Sequence, residues 1–371
     1  MRQFIFILAL LFSAVSSAQP KIIWFSTIQE DLSDKSGFWS RVHDLIVAAA
    51  ADLDVDFKVY YAEESYIRLL EQVDSVLSDP KQRPDGMIFH NYKQTGERLL
   101  AKAEQYGVKS LIFNAGFPDD DDETLRPREK YKHWVGEILP DDNFAGAELL
   151  AQLFKAATKL NKYSEASTIQ ALALEGNLSS GAYIARKSGF QQQLGALPSV
   201  SFTQFVPAEW SREAASRKFD TIFRRYPDLG IIWAANDNMA LGILDAAAQS
   251  NGPKANEDFV VGGIDWLPES FQSVEDGRMA VTIGGHFVEG MWALILLYDY
   301  LNGYDFAEAH GTSLRTQMSA VTKALLSEYG DVAQKLDPER LSIFDFRPLS
   351  RTHGLAGQQY DFDIGRFIGA L

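Results

Sequence analysis

Short apolar runs alternate with helix-length stretches along this chain, and the alternation runs through twice. The first series is Lys21–Ser26, Phe57–Tyr61, Asp85–His90, Ser110–Phe113 and Trp134–Ile138. Amphipathic segments at about 37–53, Tyr66–Leu77 and Glu97–Tyr106 lie between them. A strand covered on both faces reads as an unbroken apolar run, and helices between such strands imply parallel crossovers. After the long helix Phe144–Leu160 the series starts afresh with strands Ile169–Leu174, Ser201–Val206, Gly230–Ala234, Phe259–Ile264 and Met279–Ile283. Helices Ala182–Leu194, Arg212–Tyr226, Met239–Ser250, Pro268–Gly277 and Gly290–Leu301 accompany them. With no low-complexity linker between the series, the expectation is an α/β chain of two doubly wound parallel-sheet lobes.

A length of 371 residues suits two domains of moderate size, and 46% hydrophobic with 23% charged residues is a globular composition. A formal charge of −15 argues against nucleic acid as a partner, because binding phosphates needs clustered Lys and Arg. Arg2, the apolar run Phe4–Phe12 and Ser16-Ser17-Ala18 before Gln19 have the pattern of a signal peptide over residues 1–18. The chain has no Cys, hence neither disulfides nor a lipidated cysteine. The expectation is a free, monomeric periplasmic protein of a Gram-negative bacterium.

Chemistry concentrates where strands end. Strand Gly230–Ala234 delivers Asn236-Asp237 into a helix, and Phe259–Ile264 delivers Asp265-Trp266. In open parallel sheets that edge is where ligands bind. Asn236 can serve both as helix cap and as ligand contact, with Asp237 mainly capping. The acidic run Asp119–Glu123 lacks the spaced ligands and turn glycine of a calcium loop and reads as solvated surface. Six His and no Cys give a zinc site little to build from. No G-x-S-x-G, H-E-x-x-H or phosphate loop is present. Glu175–Gly181 is Gly/Ser-rich but has no Lys, so neither an enzyme nor a cofactor or metal site is expected.

The stretch Asp228-Leu229-Gly230-Ile231-Ile232-Trp233-Ala234-Ala235-Asn236-Asp237, continued by Val260-Val261-Gly262-Gly263-Ile264-Asp265-Trp266, resembles the type I periplasmic binding proteins. The ribose and sugar-binding group of ABC transporters is the part of that family in question. The resemblance covers most of 21–303 and is strongest over 181–303. It implies two lobes joined by a hinge that the chain crosses three times, closing on a small ligand. The crossings are expected near 140–143, at or just after 264–266, and in 284–303 or the tail. The first lobe would hold 20–140 and part of 267–303. The second would hold 141–266 and part of 304–347, with 348–371 as a wrapped extension and Leu341–Phe346 as a possible strand.

Residue by residue, the resemblance implies ligand-binding roles for Phe38 and Trp39 at the start of the first helix. It implies the same for Arg186 in Arg186-x-x-Gly189-Phe190, Trp210, Asn236, Asp265 and, ending the fourth strand, Asn114. Trp266 after Asp265 resembles the related autoinducer-2 receptor. Two positions depart from the ribose pattern: Asn114-Ala115 replaces an Asp-Arg pair, and Gly284-Gly285-His286 replaces a Gln, which makes His286 a further candidate. Arg186 and Asp265 would hydrogen-bond sugar hydroxyls while the aromatics take the apolar ring face. The implied partners are permease subunits of an importer or, alternatively, a membrane sensor such as a kinase, cyclase or chemoreceptor. Substituting Arg186 by Ala is expected to remove binding and leave the fold intact.

Overall fold

The computed structural model describes residues 19–31, 37–118, 125–160, 168–329, 331–354 and 359–371. The expected signal peptide at 1–18 and the acidic run at 119–123 lie outside the described residues. In chain order the main elements are β1 Lys21–Ser26, α1 Phe38–Asp52, β2 Asp56–Tyr61, α2 Tyr66–Ser78, β3 Gly86–Phe89, α3 Gly96–Tyr106, β4 Lys109–Phe113 and β5 Trp134–Pro140. Next come α4 Asp142–Ala157, β6 Ile169–Glu175, α5 Gly181–Gly195, β7 Val200–Pro207, α6 Arg212–Arg225, β8 Leu229–Ala234, α7 Asp237–Gln249, β9 Val260–Ile264, α8 Pro268–Glu275 and β10 Val281–Gly284. The last are α9 Glu289–Leu301, β11 Ser313–Thr316 and β12 Ser319–Val321.

These form two six-stranded sheets, ordered β11-β5-β4-β3-β1-β2 and β12-β10-β9-β8-β6-β7. Each lobe thus repeats one winding. Its first five strands take the same spatial order, and all are parallel. The sixth differs: β11 runs parallel to β5, whereas β12 is antiparallel to β10. Every residue of β5 and β8 is buried, as strands roofed on both faces must be. In the first lobe α1 and α9 cover one face and α2 with α3 the other. Among the described residues no helix is long and apolar enough to cross a membrane.

Strand to strand, the described chain passes between the sheets at three places, β5 into α4, β10 into α9 and β11 into β12, and beyond β12 the tail passes back to the first lobe. The expected crossing at 264–266 is therefore corrected. β10 pairs in parallel with β9, so the chain stays in the second lobe through Gly284. A four-residue strand carries no local mark of which sheet it joins, and that is why the crossing reads too early in sequence.

The tail also differs from expectation. Leu341–Phe346 forms no strand: Leu341 ends a helical turn at Pro338–Leu341, and Phe346 is buried beside α1. The two late strands are instead β11 and β12. From about 322 onward the chain returns to the first lobe, where Val332, Leu336, Leu341, Phe346, Tyr360, Phe367 and Ile368 join the core formed by α1 and α9. Asp299, which interrupts the apolar run of α9, is buried and is the receptor for this tail. It accepts hydrogen bonds from Ser350 Oγ (2.6 Å), Arg351 N (2.8 Å), Thr352 Oγ1 (2.6 Å) and Tyr360 OH (2.8 Å).

Candidate functional site

A cleft of about 890 Å³ opens between the lobes at the carboxyl ends of both sheets. That is the size and place expected of a small-molecule site in paired α/β lobes. It is lined by Phe38, Trp39, His90 and Asn114 of the first lobe and by Arg186, Trp210, Asn236 and Asp265 of the second. His286 joins them from the second crossing. The structure brings eight of the nine expected residues to one cavity.

Helix packing positions the charged wall. A side chain at Gly189 would lie 1.8 Å from the Asn143 carbonyl oxygen, and one at Gly146 would lie 1.9 Å from that of Arg186. Only glycine at both positions lets α5 press onto α4 so closely. That contact sets Arg186 on the start of α4, where its Nε donates to Asp142 Oδ1 (2.6 Å). Nη1 donates to the Ala235 carbonyl (2.7 Å) and lies 3.7 Å from Asp265 Oδ1, while Nη2 meets His286 Nε2 at 3.3 Å. Every nitrogen of the guanidinium is held, and its carbon sits 5.7 Å from the centre of the Trp210 ring.

Burial governs the protonation of this wall. It raises Asp142 to about 6 and Asp265 well above the ordinary carboxylate range, with the Arg186 charge opposing both. Burial, then the Arg186 charge, holds His286 well below its usual range, so its imidazole is neutral. Arginine has no acceptor, so the neutral ring must accept at Nε2 and carry its proton on Nδ1. The 3.5 Å approach of His286 to Asp265 is therefore not an ion pair. Nδ1 is buried and has no hydrogen-bond partner among the described residues. The backbone adds strain: Asp265 has φ +141° and Trp266 φ +59°, conformations that non-glycine residues adopt rarely.

The facing wall is aromatic. Trp39 stacks on His90 with centroids 4.7 Å apart, Phe38 lies edge-on to Trp39 at 5.2 Å, and Phe38 reaches His286 at 4.6 Å. His90 Nε2 pairs with Thr27 Oγ1 at 3.0 Å, its Nδ1 is buried without a partner among the described residues, and burial lowers its pKa to about 4. His90 was legible only as the last residue of a strand. The signal that could have marked it is the one used for Asn236 and Asp265, a polar side chain at a strand's carboxyl end. Asn114 occupies the left-handed region at φ +64° at the end of β4 and lines the cleft.

Three residues carry structural duties as well, or instead. Asn236 caps α7, its Oδ1 accepting from Met239 N (3.0 Å), and its Nδ2 donates to the Trp210 carbonyl (3.3 Å). Asp237 does not cap. Fully buried, it accepts from Thr282 Oγ1 (2.8 Å) and Leu267 N (3.0 Å), tying α7 to β10 and the segment before α8. Trp266 is the correction. Its ring is wholly buried outside the cleft, 4.8 Å from the Tyr329 ring and 5.6 Å from Phe271. The positive φ values at 265 and 266 turn consecutive side chains to different sides, so sequence adjacency to Asp265 places it wrongly. Among the described residues no group of His, Asp and Glu is arranged to hold a metal ion.

Comparison with known proteins agrees with this architecture. The chain is 32% identical over 156 residues to the ribose import binding protein RbsB of Salmonella typhimurium, a match covering 42% of this chain and 49% of that one. It is 31% identical over 110 residues to the D-allose-binding periplasmic protein of Escherichia coli, covering 30% and 34%. These matches span a third to a half of the relatives' length. A periplasmic sugar-binding protein from Pseudomonas fluorescens superposes with a TM-score of 0.80 at 27% identity, covering 94% of this chain and 99% of that one. The profile described as "Periplasmic binding protein domain" matches residues 32–305. That is well over half the chain, and the protein belongs to the periplasmic binding protein domain family.

Proposed function

We propose that this protein captures a sugar in the cleft between its lobes and presents it to the membrane permease subunits of an ABC-type importer. The protein would work in the periplasm as a monomer, after export directed by residues 1–18. One observation carries the proposal: a fixed guanidinium and carboxylate face a wall of stacked rings across a single cleft. A sugar has hydroxyls for the first wall and an apolar face for the second. The similarity to ribose- and allose-binding proteins supports the same class of ligand. Lobes hinged on three crossings can close around it and expel water, which strengthens each hydrogen bond inside.

The test is mass spectrometry of whatever copurifies with the protein, followed by thermal shift against a panel of pentoses, hexoses and furanoses. A ligand that binds only the native state raises the melting temperature, by an amount that grows with its concentration. One sugar should do so, and Trp39→Ala should reduce the shift. A panel without effect, together with a non-carbohydrate copurifying compound, would overturn the sugar assignment.

A second reading has one observation in its favour. The tail from 322 onward packs mainly on the first lobe, a one-sided addition that docking on a membrane sensor could use. Capture of a permease by the sugar-loaded protein in membrane vesicles favours the importer, and capture of a sensor domain favours the alternative.

A further inference from the structure

Trp266 leaves the second lobe at the end of β9, yet its indole is packed in the core of the first. Its carbonyl accepts from Arg41 Nη1 of α1, and the Arg41 guanidinium lies over Phe287 of the second crossing at 5.7 Å. Gly284 faces the indole so closely that a Cβ there would lie 2.6 Å from Trp266 Cγ. One residue of the second lobe is thus clasped by a helix of the first and by the chain that joins them.

The tail closes the clasp from outside. Tyr329 covers the indole at 4.8 Å. Ile364 presses on Gly285, where a Cβ would lie 2.8 Å from Ile364 Cγ1 and where φ is +106°. Behind these contacts the tail is firmly held by the Asp299 network, by Asp52 accepting from Phe346 N (2.8 Å) and by Lys335 Nζ donating to the Ile368 carbonyl (2.8 Å). Neither Tyr329 nor Ile364 lines the ligand cleft.

We propose that the tail is a brace on the hinge: Tyr329 and Ile364 clamp Trp266 and Gly285 against the first lobe and so set the angle between the lobes. Opening requires backbone rotation in the crossings, and Gly285 is the crossing residue with the freest φ. Rotation there would carry Trp266, with Phe271 of α8 beside it, away from the walls that the first lobe, the crossing and the tail supply. Contacts made at one angle and lost at another bias the equilibrium by their own free energy. Tyr329 and Ile364 are positioning residues in this sense, acting on the cleft through the hinge.

The chain has no Cys, so Ser75→Cys on α2 and Asp220→Cys on α6 give one spin label per lobe on exposed sites. Interlabel distances would be measured on the purified protein without sugar. Tyr329→Ala with Ile364→Ala should shift the distribution to longer distances, and Ile364→Ala alone should shift it less in the same direction. Tyr329→Phe with Ile364→Val, which keeps the packing, should match the parent. Circular dichroism checks that each variant is folded, and the single variant carries the test if the double one is not. Parent-like distances in the alanine variants, or an equal shift in the conservative pair, would overturn the brace.

Discussion

The two walls of the cleft solve the same problem in opposite ways. The second lobe holds charges in place by burying them: Arg186 is gripped by Asp142, Ala235 and His286, and its position depends on two glycines in the helices beneath. The first lobe presents rings and a neutral histidine, held by stacking rather than by ion pairs. Charges removed from water demand partners on every side, whereas rings need only contact. The charged wall should therefore fail as a unit, and the aromatic wall residue by residue.

The largest expected effect tests the first half of that statement. Arg186→Met leaves Asp142 and Asp265 buried without their counter-charge, which costs about 3–5 kcal/mol when one partner of a buried pair is removed. The urea midpoint should fall accordingly, so the sequence-based expectation that Arg186→Ala spares the fold is replaced by one of severe destabilisation. A midpoint within error of the parent would mean that the guanidinium is not what holds this wall.

Titration separates a buried acid behind one wall from a buried base on the other by sign. Burial raises Asp237, behind the charged wall, to about 6, and lowers His90, on the aromatic wall, to about 4. A raised carboxylate binds its proton more tightly in the folded state. Its contribution is present below pH 4 and is lost as pH rises through 6. A lowered histidine does the reverse: its contribution is present above pH 6.5 and lost as pH falls through 4. Each shift is worth roughly 3 kcal/mol at about 1.4 kcal/mol per unit. Relative to the parent, Asp237→Asn should gain stability as pH rises from 4.5 to 7, and His90→Gln should gain it as pH falls over the same range. Urea midpoints at pH 4.5, 5.5 and 7 decide both, and slopes of the same sign would erase the contrast.

Trp39→Ala should act on binding more than on folding. Trp39 is only partly buried, so its loss opens the cleft without leaving a charge unpaired. Removing an aromatic platform of this kind costs about 0.5–1.5 kcal/mol beyond the lost area. Calorimetric titration with the sugar that gives the largest thermal shift should show weakening of roughly tenfold, since about 1.4 kcal/mol is tenfold in affinity.

What sequence could and could not supply follows the same division. The doubly wound lobes were legible because buried parallel strands such as β8 are unbroken apolar runs and most of them are followed by a helix of ordinary length. The charged wall was legible because Arg186 and Gly189 sit in one short motif. The hinge was legible only in part: passages do fall at 140–142 and after Gly284, but β10 and β12 have four and three residues, too few to carry a pattern that says which sheet they join. Trp266 was misplaced for a similar reason. Its neighbour Asp265 enters the cleft, but the unusual φ of both residues, invisible in sequence, decides where each side chain goes. Leu341–Phe346 has the composition of a strand, yet Leu341, Phe344 and Phe346 are used to cover α1 and α9 from a turn, and Ile343 is exposed.

Asn114 offers the smallest effect and the finest separation of backbone from side chain. Its φ of +64° costs an ordinary residue about 1–2 kcal/mol, less for Asn, and nothing comparable for Gly. Asn114→Ala should therefore lower the urea midpoint, while Asn114→Gly should leave it level or raise it. If the amide also donates to the ligand, both variants lose the same hydrogen bond, a net of about 0.5–1.5 kcal/mol. Affinity should then fall equally in the two, although their stabilities move apart. A loss of affinity in the alanine variant alone would trace the effect to a displaced strand end, and would leave the first-lobe wall with rings and His90 as its only contacts among these residues.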